Sequence, residues 1–350
     1  MNASVNRNKA FERVCTVTLI VFLALTPLLW NAISSTFAGS EKYSTAKHAA
    51  SSTLTTVTYS TAEPAPLSRR KRTGTMQSGI NVWDLDEHRA ALLRNAKILW
   101  VSSDVAFNSR FENVYSLCNK YGFKIIGNLN YETLSYNNAF TLDDWARVVN
   151  QAKNTYPLIA VWEIWNEPTL TKYHLGYMDG SPQHYVDLLK IAYEILKAAN
   201  PNYVVLGLGG SQLNCVLDLP FSESVFSLGG GAYMDAISIH AYPDDLNKGQ
   251  TWDYYKTVWT KLLDQYNKFG KDLWLTETGL ESNQLTEEDQ ANYLKNSYSF
   301  FEEQGIAAFV FFQLIDYWET DTQVAFWGLL RTDQTVKPSY VAYEDLLETR

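Results

Sequence analysis

AVWEIWNEP, residues Ala160 to Pro168, runs as a buried strand and then breaks its own pattern. Ala160, Val161 and Ile164 stand among Trp162 and Trp165, an apolar run of the kind that strands covered on both faces present. It ends on an amide, a carboxylate and a proline. Asn166 and Glu167 are costly groups to leave at the tip of such a strand unless the tip faces a site. The fold that gives the tip a purpose has to be read from the segments on either side.

From Met76 onward the chain alternates short apolar runs with longer amphipathic ones. Strands are expected over Ser78 to Val82, Ile98 to Ser102, Lys124 to Asn128, Leu158 to Trp165, Tyr203 to Leu208, Ala236 to Ala241, Leu273 to Glu277 and Ala307 to Gln313, each followed by a helix. Ser181-Pro182 marks one helix start, ahead of Leu188, Ala192, Ile195 and Ala199 at helical spacing. Thr286 caps another, which Gly305 is placed to end. Eight strand-then-helix units in about 275 residues match an α/β fold of one type, the closed (β/α)8 TIM barrel. A doubly wound open sheet would carry a Gly-rich loop after its first strand, and Asn81-Val82-Trp83-Asp84 is not one.

The flanking N-terminal region reads differently. Val14 to Ile33 is free of charge and long enough to cross about 30 Å of hydrocarbon, with Arg7, Lys9 and Arg13 before it to stay on the cytoplasmic side. Thr36-Phe37-Ala38 offers a small-x-small cleavage site. Residues 1–38 therefore read as a signal peptide or a transmembrane anchor, residues 39–75 as a disordered Ser/Thr-rich linker ending in the basic cluster Arg69 to Arg72, and residues 76–350 as the folded domain. The expected location is extracellular, either secreted or anchored to the cell membrane by Val14 to Ile33. Residues 1–75 hold nine of the 29 basic and three of the 38 acidic residues, which leaves 20 basic against 35 acidic side chains for the barrel, net −15. That sign argues against a nucleic-acid partner. Charged residues are only 19% and aromatics 14%, so exposed aromatics are expected. The three cysteines, Cys15, Cys118 and Cys215, show no metal-site spacing, and nothing supports a Cys118–Cys215 disulfide.

In a barrel of this kind chemistry belongs at the C-terminal strand tips. Strand four ends Trp165-Asn166-Glu167-Pro168, strand six His240-Ala241-Tyr242, strand seven Thr276-Glu277-Thr278-Gly279. Glu167 and Glu277 are thus expected to face each other across the mouth. A gap of about 5–5.5 Å between such carboxyls serves a double displacement at a sugar carbon, and about 6.5–9.5 Å admits a water and implies inversion; the sequence leaves that distance open. Trp83, Tyr131, Trp318 and Trp327 are candidate platforms for sugar rings, with Trp318 the first choice. Glu163 reads as a buried structural carboxylate in need of a partner, and Asp104 and Asp316 as substrate contacts. The five histidines have no ligand spacing, so no metal and no cofactor are expected.

These motifs in this order, with the tail Trp327-Gly328-Leu329-Leu330 and Lys337-Pro338-Ser339-Tyr340, resemble clan A glycoside hydrolases, the superfamily of cellulases, mannanases and β-xylosidases. The resemblance covers Met76 to Arg350. It implies Glu167 as general acid/base, Glu277 as nucleophile, Asn166 as donor to a sugar 2-hydroxyl, and His240 and Tyr242 as supports of the carboxylate pair. One departure stands out. Many members place an arginine on strand two near the nucleophile, where Trp100-Val101-Ser102-Ser103-Asp104 offers serine.

The function expected is a retaining glycoside hydrolase acting on a polysaccharide or oligosaccharide. Short loops such as Thr278 to Thr286 suggest an open cleft and internal cleavage of a β-1,4-glycan. The alternatives are a non-catalytic carbohydrate-binding protein or adhesin on the same barrel, to which the strand-two serine points, and a transglycosylase using the same carboxylates.

Overall fold

The computed structural model describes residues 75–212, 218–243, 249–283, 285–320 and 323–350. The apolar N-terminal segment, the linker and Cys215 lie outside the described residues. Among the described residues no helix is long and apolar enough to cross a membrane.

Eight parallel strands close into a barrel in chain order: β1 (Gln77–Asn81), β2 (Trp100–Asp104), β3 (Lys124–Leu129), β4 (Val161–Ile164), β5 (Val204–Gln212), β6 (Ala236–His240), β7 (Asp272–Thr278) and β8 (Ala308–Phe311). Seven helices follow the first seven strands: α1 (Glu87–Asn95), α2 (Ser109–Tyr121), α3 (Leu142–Thr155), α4 (Pro182–Ala199), α5 (Asp218–Ser227), α6 (Trp252–Asn267) and α7 (Glu287–Glu303). After β8 the expected helix is delayed. The chain first makes an antiparallel ribbon, β9 (Tyr317–Thr320) with β10 (Gln323–Ala325), and only then α8 (Pro338–Glu348). Thr286 caps α7 in a reciprocal capping box with Asp289, and Pro182 opens α4.

Strand periodicity sorts the side chains into layers. Trp100, Ile126, Val161, Leu206, Ala236, Trp274 and Val310 point into the barrel and fill its lower part, as the packed interior of such a barrel requires. Their neighbours Val101, Ile125, Trp162, Val205, Ile237, Leu275 and Phe309 face outward and join the helices in the larger core. Two residues above the inner apolar layer the inward positions turn polar: Ser102, Asn128, Glu163, Ser238 and Thr276, all buried. This polar layer is the floor of the site.

Most strand ends fall within two residues of the sequence reading, and at two of them the difference has a conformational reason. β4 stops at Ile164 because Trp165 adopts φ 68°, a left-handed conformation that ends extended pairing. β5 continues to Gln212, past the expected end at Leu208. Leu208, Gly209 and Gly210 all have positive φ, and the register with β6 shifts between Gly207 and Ser211, so a bulge carries the strand on. Cys118 is a free thiol inside α2, pushed up to about 12 by burial.

The segment after β8 is pinned by a buried ion pair. Lys337 Nζ donates to Asp316 Oδ1 at 2.7 Å, and the Gly328 amide donates to the same oxygen at 2.8 Å. Asp316 is therefore a structural anchor and not a substrate contact. Burial pushes the Asp316 carboxyl up and the Lys337 amine down, so the pair holds against desolvation, with little net gain over an apolar one. Breaking it is another matter. Lys337→Met should destabilise the barrel by about 3–5 kcal/mol by stranding a buried carboxylate, and Asp316→Leu/Lys337→Met should recover most of that loss in denaturant titrations. Equal stability of Lys337→Met and the parent would show that the pair is not structural.

Candidate active site

The polar floor is built around Glu163 on β4. Its Oε1 accepts the Ser238 hydroxyl of β6 at 2.5 Å and the Thr276 hydroxyl of β7 at 3.1 Å, while Ser238 Oγ accepts the Gly210 amide of β5 at 2.5 Å. Four adjacent strand ends are tied together beneath the mouth. The partner that Glu163 was expected to need is this pair of hydroxyls.

His240 lies directly above, at the tip of β6. Its Nδ1 is 3.0 Å from Glu167 Oε1 and 3.5 Å from Glu277 Oε2. Burial alone would push the imidazole down, but the charge of Glu277, the hydrogen bond to Glu167 and the charges of Glu167 and Glu163 outweigh it and hold it up to about 9. An imidazolium therefore stands between the two glutamates at neutral pH. Gly210 makes room for it, since a methyl group there would collide with the His240 ring.

Glu167 reaches its place through an unusual turn. Trp165 and Glu167 have φ 68° and 42°, the Trp165 amide bonds to Leu129 O at 2.8 Å and the Glu167 amide to Gly209 O at 2.6 Å. Non-glycine residues in this region are strained and persist where the surroundings over-determine them. Here the neighbouring strands β3 and β5 hold both. Asn166, between them, is 7% exposed, and among the described residues its buried Oδ1 has no hydrogen-bond partner.

Glu277 takes the Tyr242 hydroxyl on Oε2 at 2.6 Å. Burial raises its carboxyl to about 7; His240 and the Tyr242 hydrogen bond oppose the rise, and Glu167 and Glu163 add to it. Tyr242 is pushed well above the usual phenol range by burial and by Glu277, so it remains a donor. Glu167, His240 and Glu277 bring one donor atom each within 4.8 Å of one another. That spacing lets the trio share a proton, with His240 as the group between the two carboxyls.

Above the pair lies a cavity of about 630 Å³. One wall is aromatic, with Trp83 against Tyr317 at 4.3 Å between ring centres and Trp327 edge-on to Tyr242 at 5.5 Å. The opposite wall is the stack of Tyr131 on Tyr173 at 5.2 Å. Asp104, Arg110, Glu132, Tyr136 and Lys172 complete the rim. Sequence reading thus brings Asn166, Glu167, Tyr242, Glu277, Trp83, Tyr131, Trp327 and Asp104 to one cavity, with His240 beneath it. Trp318 is placed elsewhere. It follows Tyr317 on β9, and successive strand residues face opposite ways; Tyr317 lines the cavity while Trp318 is 62% exposed. Tyr136, Lys172 and Tyr173 escaped the sequence reading, which named Tyr131 and Asn166-Glu167 but weighed for the site no other residue of the loops over residues 132–141 and 169–181; Arg110, at the start of α2, escaped it too. The length of those two loops was the available signal. As for the missing strand-two arginine, Ser102 and Ser103 are both buried, and the cation beside Glu277 is His240.

The closed barrel with two carboxylates at the tips of β4 and β7 defines a clan A glycoside hydrolase fold. The chain matches the family described as Cellulase (glycosyl hydrolase family 5) over residues 48–314 and belongs to it. No curated protein sequence gives a match. Among solved structures, a family 39 glycoside hydrolase from the gut symbiont Bacteroides cellulosilyticus is similar at 23% identity and TM-score 0.60, over 78% of this chain and 63% of that one. A glucosidase from Croceicoccus marinus is similar at 16% and 0.62, over 79% and 67%, and a family 39 β-xylosidase from Caulobacter crescentus at 16% and 0.58, over 80% and 73%. The chain thus spans less than two thirds of the first of these, and at such identities the likeness carries the fold.

The site makes stability depend on pH. With its folded value raised to about 7, Glu277 favours folding fully below about 4.5, and that contribution is lost as pH rises through 7. His240, raised to about 9, acts in the same direction, its contribution present below about 6.5 and lost through 9. Glu277→Gln carries no such charge. It should therefore match the parent near pH 4.5 and become progressively more stable than the parent as pH rises to 8, the more so because His240 in the variant loses the charge that holds its proton. A difference that shrinks with rising pH in denaturant titrations would contradict the burial of this carboxylate.

Proposed function

We propose that this chain is a retaining β-glycosidase working by double displacement. The observation that supports this most is the approach of Glu167 and Glu277, which bring one carboxylate oxygen each within 4.8 Å of the other, in keeping with the short carboxyl separation of retaining enzymes and below the about 6.5–9.5 Å of inverting ones. Glu277 Oε attacks the anomeric carbon, the bond from that carbon to the leaving oxygen breaks, and Glu167 gives its proton to that oxygen. In the second step Glu167 takes a proton from water, the water oxygen bonds to the anomeric carbon, and the ester bond to Glu277 breaks. Tyr242 and His240 favour the ionised form of Glu277 in the attacking state. Asn166, whose buried carbonyl oxygen has no partner among the described residues, is the group for the sugar 2-hydroxyl, accepting from it where the resemblance implies a donor, and this bond strengthens as the ring becomes oxocarbenium-like.

For substrate, we take a β-1,4-linked glycan cut internally. The description of the matched family, Cellulase, supports this, as do the two facing aromatic walls, whose rings suit the apolar faces of successive sugars. The sugar platforms in this reading are Trp83 with Tyr317 and Tyr131 with Tyr173, in place of Trp318.

The two carboxylates should respond differently to removal. Glu277→Gln should lower kcat by a factor on the order of 10⁴ or more on every substrate. Glu167→Ala should lose about 10²–10⁴-fold where the leaving group needs a proton, far less on dinitrophenyl glycosides, with added azide restoring rate as the β-glycosyl azide. NMR of the first product should show the β anomer. An α anomer would overturn retention, and equal losses for both variants on all leaving groups would overturn the roles. A fast fall in polymer viscosity with few reducing ends marks internal cleavage; release of monosaccharide alone would replace it with attack at chain ends.

A further inference from the structure

Asp104 is a carboxylate in this cavity for which the double displacement has no use. It closes β2, and its side chain lines the same space as Asn166, Glu167 and Glu277. Its Oδ1 accepts the Asn130 side-chain amide at 2.7 Å. Asn130 is itself fixed: it is fully buried, its amide bonds to Thr133 Oγ1 at 3.2 Å, and its own carbonyl oxygen takes the Glu132 amide at 2.8 Å. Among the described residues no hydrogen bond reaches Asp104 Oδ2. Nor does a cation face it closely, since Arg110, the basic residue nearby, pairs with Glu132 at 3.5 Å. Burial, ahead of the lowering effect of Asn130, pushes the carboxyl up to about 6, with Glu132 and Glu163 adding to the rise.

Asp104 is half-buried, and a donor on a ligand in the cavity that it lines would complete the hydrogen bonds of its second oxygen. The barrel order fixes where on the ligand it acts. Glu167, His240 and Glu277 stand at β4, β6 and β7, so the anomeric carbon belongs on that side. β2 lies across the closed barrel from β6, and Asp104 therefore meets the far edge of the sugar ring.

We propose that Asp104 is the glycone-selecting residue of the site, its free carboxylate oxygen accepting the ring hydroxyls remote from the anomeric carbon, those on C3 and C4. This rests on the retaining glycosidase reading above and adds the part of the substrate that the reading leaves unassigned. Asp104 presents acceptors only, so it favours glycones whose distal groups are donors and disfavours those that are deoxygenated or alkylated there.

The test compares 4-nitrophenyl β-glycosides: the preferred glycone, its C4 epimer, and its 3-deoxy and 4-deoxy analogues, on the parent, Asp104→Asn and Asp104→Ala. The parent should prefer the intact glycone over the deoxy analogues by about 10–100-fold or more in kcat/KM. Asp104→Ala should lose that factor on the intact glycone, lose little on the analogue lacking the contacted hydroxyl, and so narrow the preference to within about 3-fold. Asp104→Asn has the same volume and keeps the fold question separate. A merely structural role predicts equal losses on every glycone, and that result, with an active parent, would overturn the proposal while leaving the glycosidase reading intact. A parent inactive on all glycosides and indistinguishable from Glu277→Gln would overturn both.

Discussion

Three carboxyls, two buried and one half-buried, gathered around one imidazole set the terms for the rest of the molecule. Glu163, Glu167 and Glu277 all act on His240, which is held up to about 9 against its burial. Without the cation, the carboxyls would be pushed still further toward their protonated forms. Without the carboxylates, a buried imidazole would be neutral. The barrel supplies what this arrangement needs: hydroxyls from β6 and β7 on Glu163, the Tyr242 phenol on Glu277, and at Gly210 a strand with no side chain to push His240 aside. With serine where β2 could carry an arginine, the positive charge beside Glu277 comes from β6.

The apolar interior below and the aromatic walls above give this charged layer its setting. Trp100, Ile126, Val161 and Trp274 exclude water from beneath, which strengthens each interaction in the polar floor. On the other side the ion pair of Lys337 with Asp316, reinforced by the Gly328 amide, fixes the stretch between β8 and α8. Tyr317 follows Asp316 directly and Trp327 precedes Gly328, so a contact remote from the chemistry positions two of the rings that line the cavity. Barrel stability and the shape of the cavity wall are linked through this one buried pair.

Much of this was legible in the chain itself. Eight apolar runs in alternation with amphipathic segments determine a closed barrel, because each strand must be covered on both faces. Strand tips ending in Asn166-Glu167, His240 and Glu277 then have only one place to meet. The parts that were not legible are those decided by local backbone rather than by period. Trp165 looks like a strand residue and is not, because its φ is positive; Leu208 looks like an end and is the start of a bulge. Trp318 and Tyr317 are equally aromatic in sequence, and only the pairing of β9 with β10 decides which faces the cavity. Asp316 and Asp104 read alike as acidic residues near strand tips, yet a lysine 21 positions away takes one of them into the structure and leaves the other for the ligand.

The account stands on Glu277 becoming the residue bonded to sugar during turnover. A 2-deoxy-2-fluoro β-glycoside with a good leaving group slows the second displacement more than the first and should trap that bond. Mass spectrometry of the intact protein should show one added glycosyl unit, and peptide mapping should place it on Glu277, with none formed by Glu277→Gln. A label on Glu167 would reverse the two roles. A parent that turns over ordinary glycosides and accumulates no adduct with the fluoro sugar would contradict the double displacement itself.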